Sequence, residues 1–247
     1  MKFLSVKTRA FLPPKDDIYD LLGEIKKLRD GDIVVITSKV LGIHQGRCIK
    51  IGPGVNKKKL IKQEAEYYKQ TRVKQQKFIL TIKNHVLALS AGIDESNSNG
   101  YYVLLPTDVN KLLKEIWVYL RKKQGIKKLG VIATDSHTFP MRRGTIGIAI
   151  GFFGFEPQKD YRKQKDIFGR KFKFTQTDIV DALAVMAVYF MGEGDERVPI
   201  VVIRDAVAEF TDKSTYRKLI MPIKSDIYYP LLKLFEKKQK SVRIRKN

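Results

Sequence analysis

The chain has 247 residues, room for one large domain or two small ones, and its 48 Lys and Arg against 26 Asp and Glu leave a formal charge of +22. A hydrophobic share of 43% is enough to bury a core, which excludes wholesale disorder, and no apolar run approaches the ~20 residues of a membrane span. Cys48 is the single cysteine, which excludes an internal disulfide framework and a Cys-rich zinc site, and the start MKFLSVKTRAFLPP holds no extended apolar stretch, so no secretion signal and a cytoplasmic protein are expected.

Apolar residues at Ile18, Leu21, Leu22, Ile25 and Leu28 predict a helix over 16–28, entered after Pro13-Pro14 and closed near Gly31. Asp32–Val40 (DIVVITSKV) reads as a buried strand, Lys58–Gln70 as a charged helix, and Phe78–Ser90 as one or two strands leading into AGIDESN. Thr107 or Asp108 is placed to cap a helix that runs through Lys123, with Leu112, Leu113, Ile116, Trp117 and Leu120 on one face. Leu129–Thr134 is a short apolar strand that should stop at Asp135, and Gly144–Phe155 a glycine-broken strand. Thr177–Met191 is apolar nearly all round, which predicts a core helix. Val198–Ile203 follows as another buried strand, and Asp226–Lys238 as a terminal helix around Pro230 with a basic tail behind it. Strands and helices alternate irregularly, without repeats or linkers. The expectation is a mixed α/β or α+β fold in one interwoven domain.

The charge calls for something anionic: nucleic acid, nucleotide phosphates or a polycarboxylate. Its clusters are modest (Lys57–Lys59, Arg121–Lys123, Lys127-Lys128, and the tail from Lys237 to Lys246), and each alone is what a solvated face looks like. No zinc-finger spacing, RNP-type aromatic strand or convincing helix-turn-helix is present. A Walker loop and a GxSxG elbow are absent too, and His44, His85 and His137 share no ligand spacing.

Two acids stand out because each follows an apolar strand: Asp94 in LALSAGIDESN and Asp135 in GVIATDSHTFP. Strand ends that feed polar loops are where open sheets place ligands, and carboxylates beside Asn97 and Ser136 suit a hard cation that bridges phosphate oxygens. Taken alone, either segment is better explained as a cap or turn. Met191-Gly192-Glu193-Gly194-Asp195-Glu196 closes the apolar helix, either as an ordinary glycine C-cap or as a third contact. Arg142-Arg143 could clamp phosphate or carboxylate, or simply be solvated.

Taken in order, GDIVVITSKV, AGIDESN, TDSHTFPMRRGTIGIAIG, KDIFGRKFKFTQTDIVDAL and MGEGDERVPIVVIRD resemble the CofE-type gamma-glutamyl ligases, which add L-glutamate in the making of the deazaflavin coenzyme F420. The resemblance runs from about Pro13 to about Asp205. It implies the CofE-like α/β fold and an intertwined homodimer with active-site clefts at the interface. It implies that Asp94 binds a divalent metal, Mg²⁺ or Mn²⁺, and that Asn97 contacts GTP. Asp135 and Ser136 would supply two more metal contacts and Glu193 another, within a nucleotide-binding Met191–Asp195 segment. Ser38 and Lys39 match a nucleotide-contacting pair, and Arg142 would assist electrostatically.

Three positions depart from the family pattern: Ile43 replaces a lysine, Gln45 a glutamate and Phe139 an arginine. The last resembles a branch labelled folate gamma-glutamate ligase, so a deazaflavin, a folate and a polyglutamate chain all stay open as acceptor. The implied function is a GTP- or ATP-dependent ligase that adds L-glutamate through an acyl phosphate. Each addition lengthens an anionic tail that a basic surface is suited to hold. The alternatives are a basic protein of this fold that binds nucleic acid, which the surviving acids argue against, and a metal-dependent nucleotide hydrolase.

Overall fold

The computed structural model describes residues 1–237. In chain order its elements are β1 (Lys2–Val6), α1 (Ile18–Gly23), β2 (Asp32–Thr37), α2 (Ser38–His44), β3 (Cys48–Lys50), α3 (Lys57–Glu64), β4 (Tyr67–Val73), β5 (Gln76–Lys83) and β6 (Val86–Leu89). After a 3-10 turn (Ser90–Gly92) come β7 (Tyr101–Val103), α4 (Val109–Gln124), β8 (Leu129–Thr138), β9 (Thr145–Phe153), β10 (Gln158–Asp160), β11 (Gln176–Asp178) and α5 (Ile179–Met191). The series ends with β12 (Ile200–Arg204), α6 (Tyr216–Leu219), a 3-10 turn (Ile223–Ser225), α7 (Tyr229–Leu232) and β13 (Glu236–Lys237). Among the described residues no helix is long and apolar enough to cross a membrane. Among the described residues the chain divides into two compact units: Met1–Ile51 with Asp94–Ile220, and Gly52–Ile93 with the residues from Met221.

The larger unit is a sheet in the order β1-β12-β2-β8-β9, covered on both faces. β2 and β8 run parallel and the other neighbours antiparallel. Successive residues of a strand point to opposite faces, so β2 divides its side chains between two cores. Val34 and Ile36 join α1 and α4 residues such as Leu21, Leu113, Ile116 and Leu120, while Ile33 and Val35 join Val180, Ala184 and Ala187 of α5. A strand buried on both faces has to be apolar throughout, which explains the unbroken DIVVI run. Trp117 ties α4 to the sheet by donating its indole N–H to the Leu129 carbonyl at 2.8 Å. At the start of β2, the Arg204 guanidinium grips both carboxylate oxygens of buried Asp32, at 3.0 and 2.8 Å.

The smaller unit is an antiparallel sheet in the order β13-β4-β5-β6. Cross-strand partners lie on the same face, so Tyr68, Arg72, Lys77, Ile79, Thr81 and Lys83 share one face of β4 and β5. Helix α3 lies on that face, because its Lys62 ammonium sits over the Tyr68 ring and its Glu64 pairs with Lys83.

Several elements differ from the sequence expectation. The helix read over 16–28 keeps only Ile18–Gly23, although Ile25 and Leu28 are still buried in the core. The charged helix ends at Glu64, because Tyr67–Val73, rich in aromatic and β-branched residues, enters a sheet instead. Asp108 stands at the N-cap of α4 at a φ of 47° without capping through its side chain; its carbonyl accepts from Lys111 and Leu112. The terminal helix over 226–238 is replaced by the one-turn α7 and by β13, since Pro230 fits only the first turn of a helix. Lys238 and the rest of the basic tail through Lys246 lie outside the described residues.

Candidate active site

The site is built where parallel strands β2 and β8 end their pairing at Thr37 and Thr134. The next residue of each chain, Ser38 and Asp135, comes out side by side, and the Ser38 hydroxyl donates to Asp135 Oδ1 at 2.7 Å. Asp135 was expected to follow its strand. Instead β8 continues through it to Thr138, paired with β9 after a register shift at Ala133/Thr134. The bulge re-aims the strand and keeps both Asp135 and Ser136 on a rigid support.

Lys39, the second residue of α2, reaches the GIDESN loop. Its ammonium lies 2.7 Å from Asp94 Oδ2 and donates to the Ser96 carbonyl at 2.8 Å. Asp94 itself is pinned by its main chain, which exchanges two 2.9 Å hydrogen bonds with Val103. The Ser96 N–H and hydroxyl both donate to Asp94 Oδ1 at 2.8 Å, an Asx-type turn closed by the ion pair. On the other side, the Ser136 hydroxyl donates to Glu193 Oε1 at 2.7 Å, and Thr145 reaches the same oxygen at 3.3 Å. The Asn97 amide donates to the Gly194 carbonyl at 2.8 Å, joining the GIDESN loop to the MGEGDE turn.

Four segments far apart in sequence therefore bring together Ser38, Lys39, Asp94, Asn97, Asp135, Ser136, Glu193 and Gly194. Met191 is buried beneath the turn, and Gly192 takes a φ of 75° at the end of α5. A side chain at Gly192 would collide with the Glu196 carboxylate, which accepts from the Gly194 N–H at 2.8 Å. Asp195 is exposed, without a hydrogen bond into the cluster. Arg142 is not drawn in either: it lies exposed in the turn between β8 and β9, where its main-chain N–H donates to the Phe139 carbonyl at 3.2 Å. Gln45, one of the departures, spans to Thr107 through both ends of its amide, at 2.9 and 2.8 Å. Ser96 and Thr145 belong to the cluster and were not singled out from sequence. The signal for Ser96 was its place two residues after Asp94; nothing local marks Thr145.

The two carboxylates sit in opposite electrostatic settings. Burial pushes Asp94 up, but the Lys39 ammonium and the Ser96 donors outweigh it, so its carboxyl lies below the ordinary value. Burial raises Asp135 to about 6, and the neighbouring charge of Asp94 adds to the rise. Two acids close enough to oppose each other's ionisation form a donor pair that a divalent cation would relieve. Among the described residues no group of three His, Cys, Asp or Glu forms a ready-made metal cage. Two carboxylates with hydroxyls beside them do fit an ion such as Mg²⁺, which binds through one or two carboxylates and completes its shell with water and phosphate oxygens.

The family model described as F420-0:gamma-glutamyl ligase matches residues 9–205. The coenzyme F420:L-glutamate ligase of Methanocaldococcus jannaschii is 34% identical over 215 residues, covering 81% of this chain and 86% of that protein. Its counterpart from Methanopyrus kandleri is 31% identical over 235 residues, 87% and 92% of the two chains, and that from Methanococcus maripaludis is 39% identical over 152 residues, 61% and 60%. By class, the chain falls among the ligases that form an amide between an acid and an amino acid. Within that class it belongs to the F420-0:gamma-glutamyl ligase family.

Proposed function

We propose that the protein uses a nucleoside triphosphate, GTP or ATP, to join L-glutamate to a carboxylate acceptor through an acyl phosphate. The observation that carries this reading is the meeting of Lys39, Asp94, Asp135 and Glu193 from four separate segments at the ends of β2 and β8. The relatives' names make a deazaflavin of the F420 type the first acceptor to try. Folate and a chain that already carries glutamate are the others.

A carboxylate is a poor electrophile, so an acceptor oxygen first attacks the γ-phosphorus and the nucleoside diphosphate leaves. The glutamate amine then attacks the acyl carbon, loses a proton, and expels phosphate to leave an amide. Asp94, Asp135, Ser136 and Glu193 would hold Mg²⁺ or Mn²⁺, which when bound neutralises phosphate charge as the γ-phosphoryl group moves. Lys39 contributes a fixed positive charge beside the same phosphates, and Ser38 and Asn97 orient the walls of the nucleotide site. Arg142, exposed in the β8–β9 turn, enters only as a longer-range electrostatic aid. The protein acts in this reading as a homodimer: Ile167, Phe168 and Phe174, between β10 and β11, are exposed apolar residues suited to a second copy.

The test is mass spectrometry of products from purified protein with Mg²⁺ or Mn²⁺, L-glutamate and GTP or ATP. It is run without acceptor, then with F420-type deazaflavin and with folate. A ladder spaced by one glutamyl unit, matched by phosphate release, is expected with at least one acceptor. Asp94→Asn and Asp135→Asn should each abolish it while leaving the circular dichroism unchanged. Undiminished turnover in both variants would overturn the assignment.

A further inference from the structure

The charge of this chain is not evenly spread. Among its described residues the smaller unit holds twelve Lys and Arg against four Asp and Glu, a surplus of eight in less than a quarter of the chain. From Tyr67 through Ile93 there is no acid at all, while Lys69, Arg72, Lys74, Lys77 and Lys83 are all basic.

The cations gather at the tip of the β4–β5 hairpin. Arg72 and Lys77 are direct cross-strand partners, an arrangement that repels rather than stabilises. Between them the two-residue turn places Lys74 at a φ of 54°. Such a position favours Gly, Asn or Asp, and the next hairpin of the same sheet uses Asn84 at a φ of 51°. The tip thus keeps a lysine where an asparagine would fit better, and opposes two like charges. Arg72, Lys74 and Lys77 are exposed and form no ion pair among the described residues. Lys58 and Lys59, also exposed, extend the basic character onto α3, the helix that lies on the same face as Arg72 and Lys77.

We infer that the β4–β5 hairpin tip, with α3, is a binding surface for an oligocarboxylate, namely the lengthening glutamate tail of the ligase product. This rests on the reading proposed above, in which each turnover adds one negative charge to that tail. Lysines dominate the surface, and point charges suit separate carboxylates, whereas nucleic-acid surfaces add aromatic platforms on which bases stack. The one aromatic ring on that face of the hairpin, Tyr68, is already covered by Lys62. A tail held there keeps the product on the enzyme between additions and favours longer chains.

The experiment compares the full-length protein with the triple variant Arg72→Gln, Lys74→Gln, Lys77→Gln. Binding of a fluorescein-labelled γ-linked hexaglutamate is followed by anisotropy across a salt series, and the length of ligase products is read by mass spectrometry. Three exposed charge contacts are together worth about tenfold in affinity. The variant should therefore bind the hexaglutamate about tenfold more weakly and yield shorter products, with an unchanged rate of first addition and a Tm no lower than the parent's. Equal binding by parent and variant, or no binding by the parent, would overturn the inference. So would tighter binding of a single-stranded oligonucleotide of equal charge, lost in the variant, which would point to nucleic acid instead. An inactive parent that still binds hexaglutamate through these residues would sink the catalytic reading and leave the surface standing.

Discussion

At the residue scale, the candidate site is held by short polar links rather than by packing, and Ser96, which was not singled out from sequence, ties Asp94 to Lys39. It fixes one oxygen of Asp94 twice and accepts from Lys39. A hydrogen bond to a charged group is worth about 1.5–3 kcal/mol. Ser96→Ala should therefore lower kcat/KM by about tenfold or more with the fold intact, and Ser96→Thr should restore most of it. A second prediction concerns Asp181, whose carboxyl is raised from the ordinary 3.8 to about 7 by burial and then by neighbouring Asp178. Well below pH 3.8 it is protonated in the folded and unfolded chains alike, and its contribution to stability is fully present. As the pH rises towards 7 the unfolded chain releases its proton first, so the fold loses stability across that window. Thermal melts of Asp181→Asn should show a flatter profile than the parent between pH 4 and 8, and a parallel decline would contradict this account. Asp94 and Asp135 were legible in the sequence as acids beside apolar strands. Their partners Ser38 and Lys39 were not legible without a family resemblance, because 97 residues separate Ser38 from Asp135 and only the β2–β8 register joins them.

At the scale of elements, periodicity found four of the five strands of the larger sheet, missing only β1, and the two long helices, since a buried strand or an amphipathic helix writes its burial into consecutive residues. It failed where short segments take their form from a neighbour. Tyr67–Gln70 reads as the end of a charged helix, yet Tyr67–Val73 pairs with β5 along its whole length. The glycines of β9, read as bends or close approaches, are the latter at Gly147. A Cβ there would lie 2.3 Å from the Ala184 carbonyl oxygen of α5. Gly147→Ala should consequently force β9 and α5 apart and destabilise the protein by about 1–3 kcal/mol, or more if the backbone cannot give. Urea denaturation measures this directly, and an unchanged midpoint would mean that α5 yields more readily than its buried face suggests. Because Thr145 and Ser136 both bond Glu193, the variant should also raise the KM for the nucleotide of the proposed reaction.

At the scale of the molecule, two properties bear on the partners proposed above. One is the concentration of positive charge in the smaller unit. The other is the apolar exposure between β10 and β11, where Ile167 is 92% and Phe168 88% exposed. Exposed side chains of that size suit a partner, and the proposed homodimer supplies one. Light scattering should give twice the chain mass of 28.4 kDa, and Ile167→Asp with Phe168→Asp should return it to a single chain. A parent that already scatters as one chain would remove the dimer from the proposal. None of this was legible from composition, because a total of +22 says nothing of where the charges lie and scattered apolar residues look alike in sequence whether covered or not.

The chain leaves the larger unit after Ile51 and returns at Asp94, and both points are tied to one short strand: β7 pairs with β3 on one side and bridges Asp94 on the other. The metal-binding candidate is thus anchored within its own unit from the first residue of the return. Sequence drift in the forty-two residues of the excursion, including the accumulation of lysines, need not disturb it. Descendants of such a protein can vary the surface of the smaller unit while inheriting the candidate site unaltered.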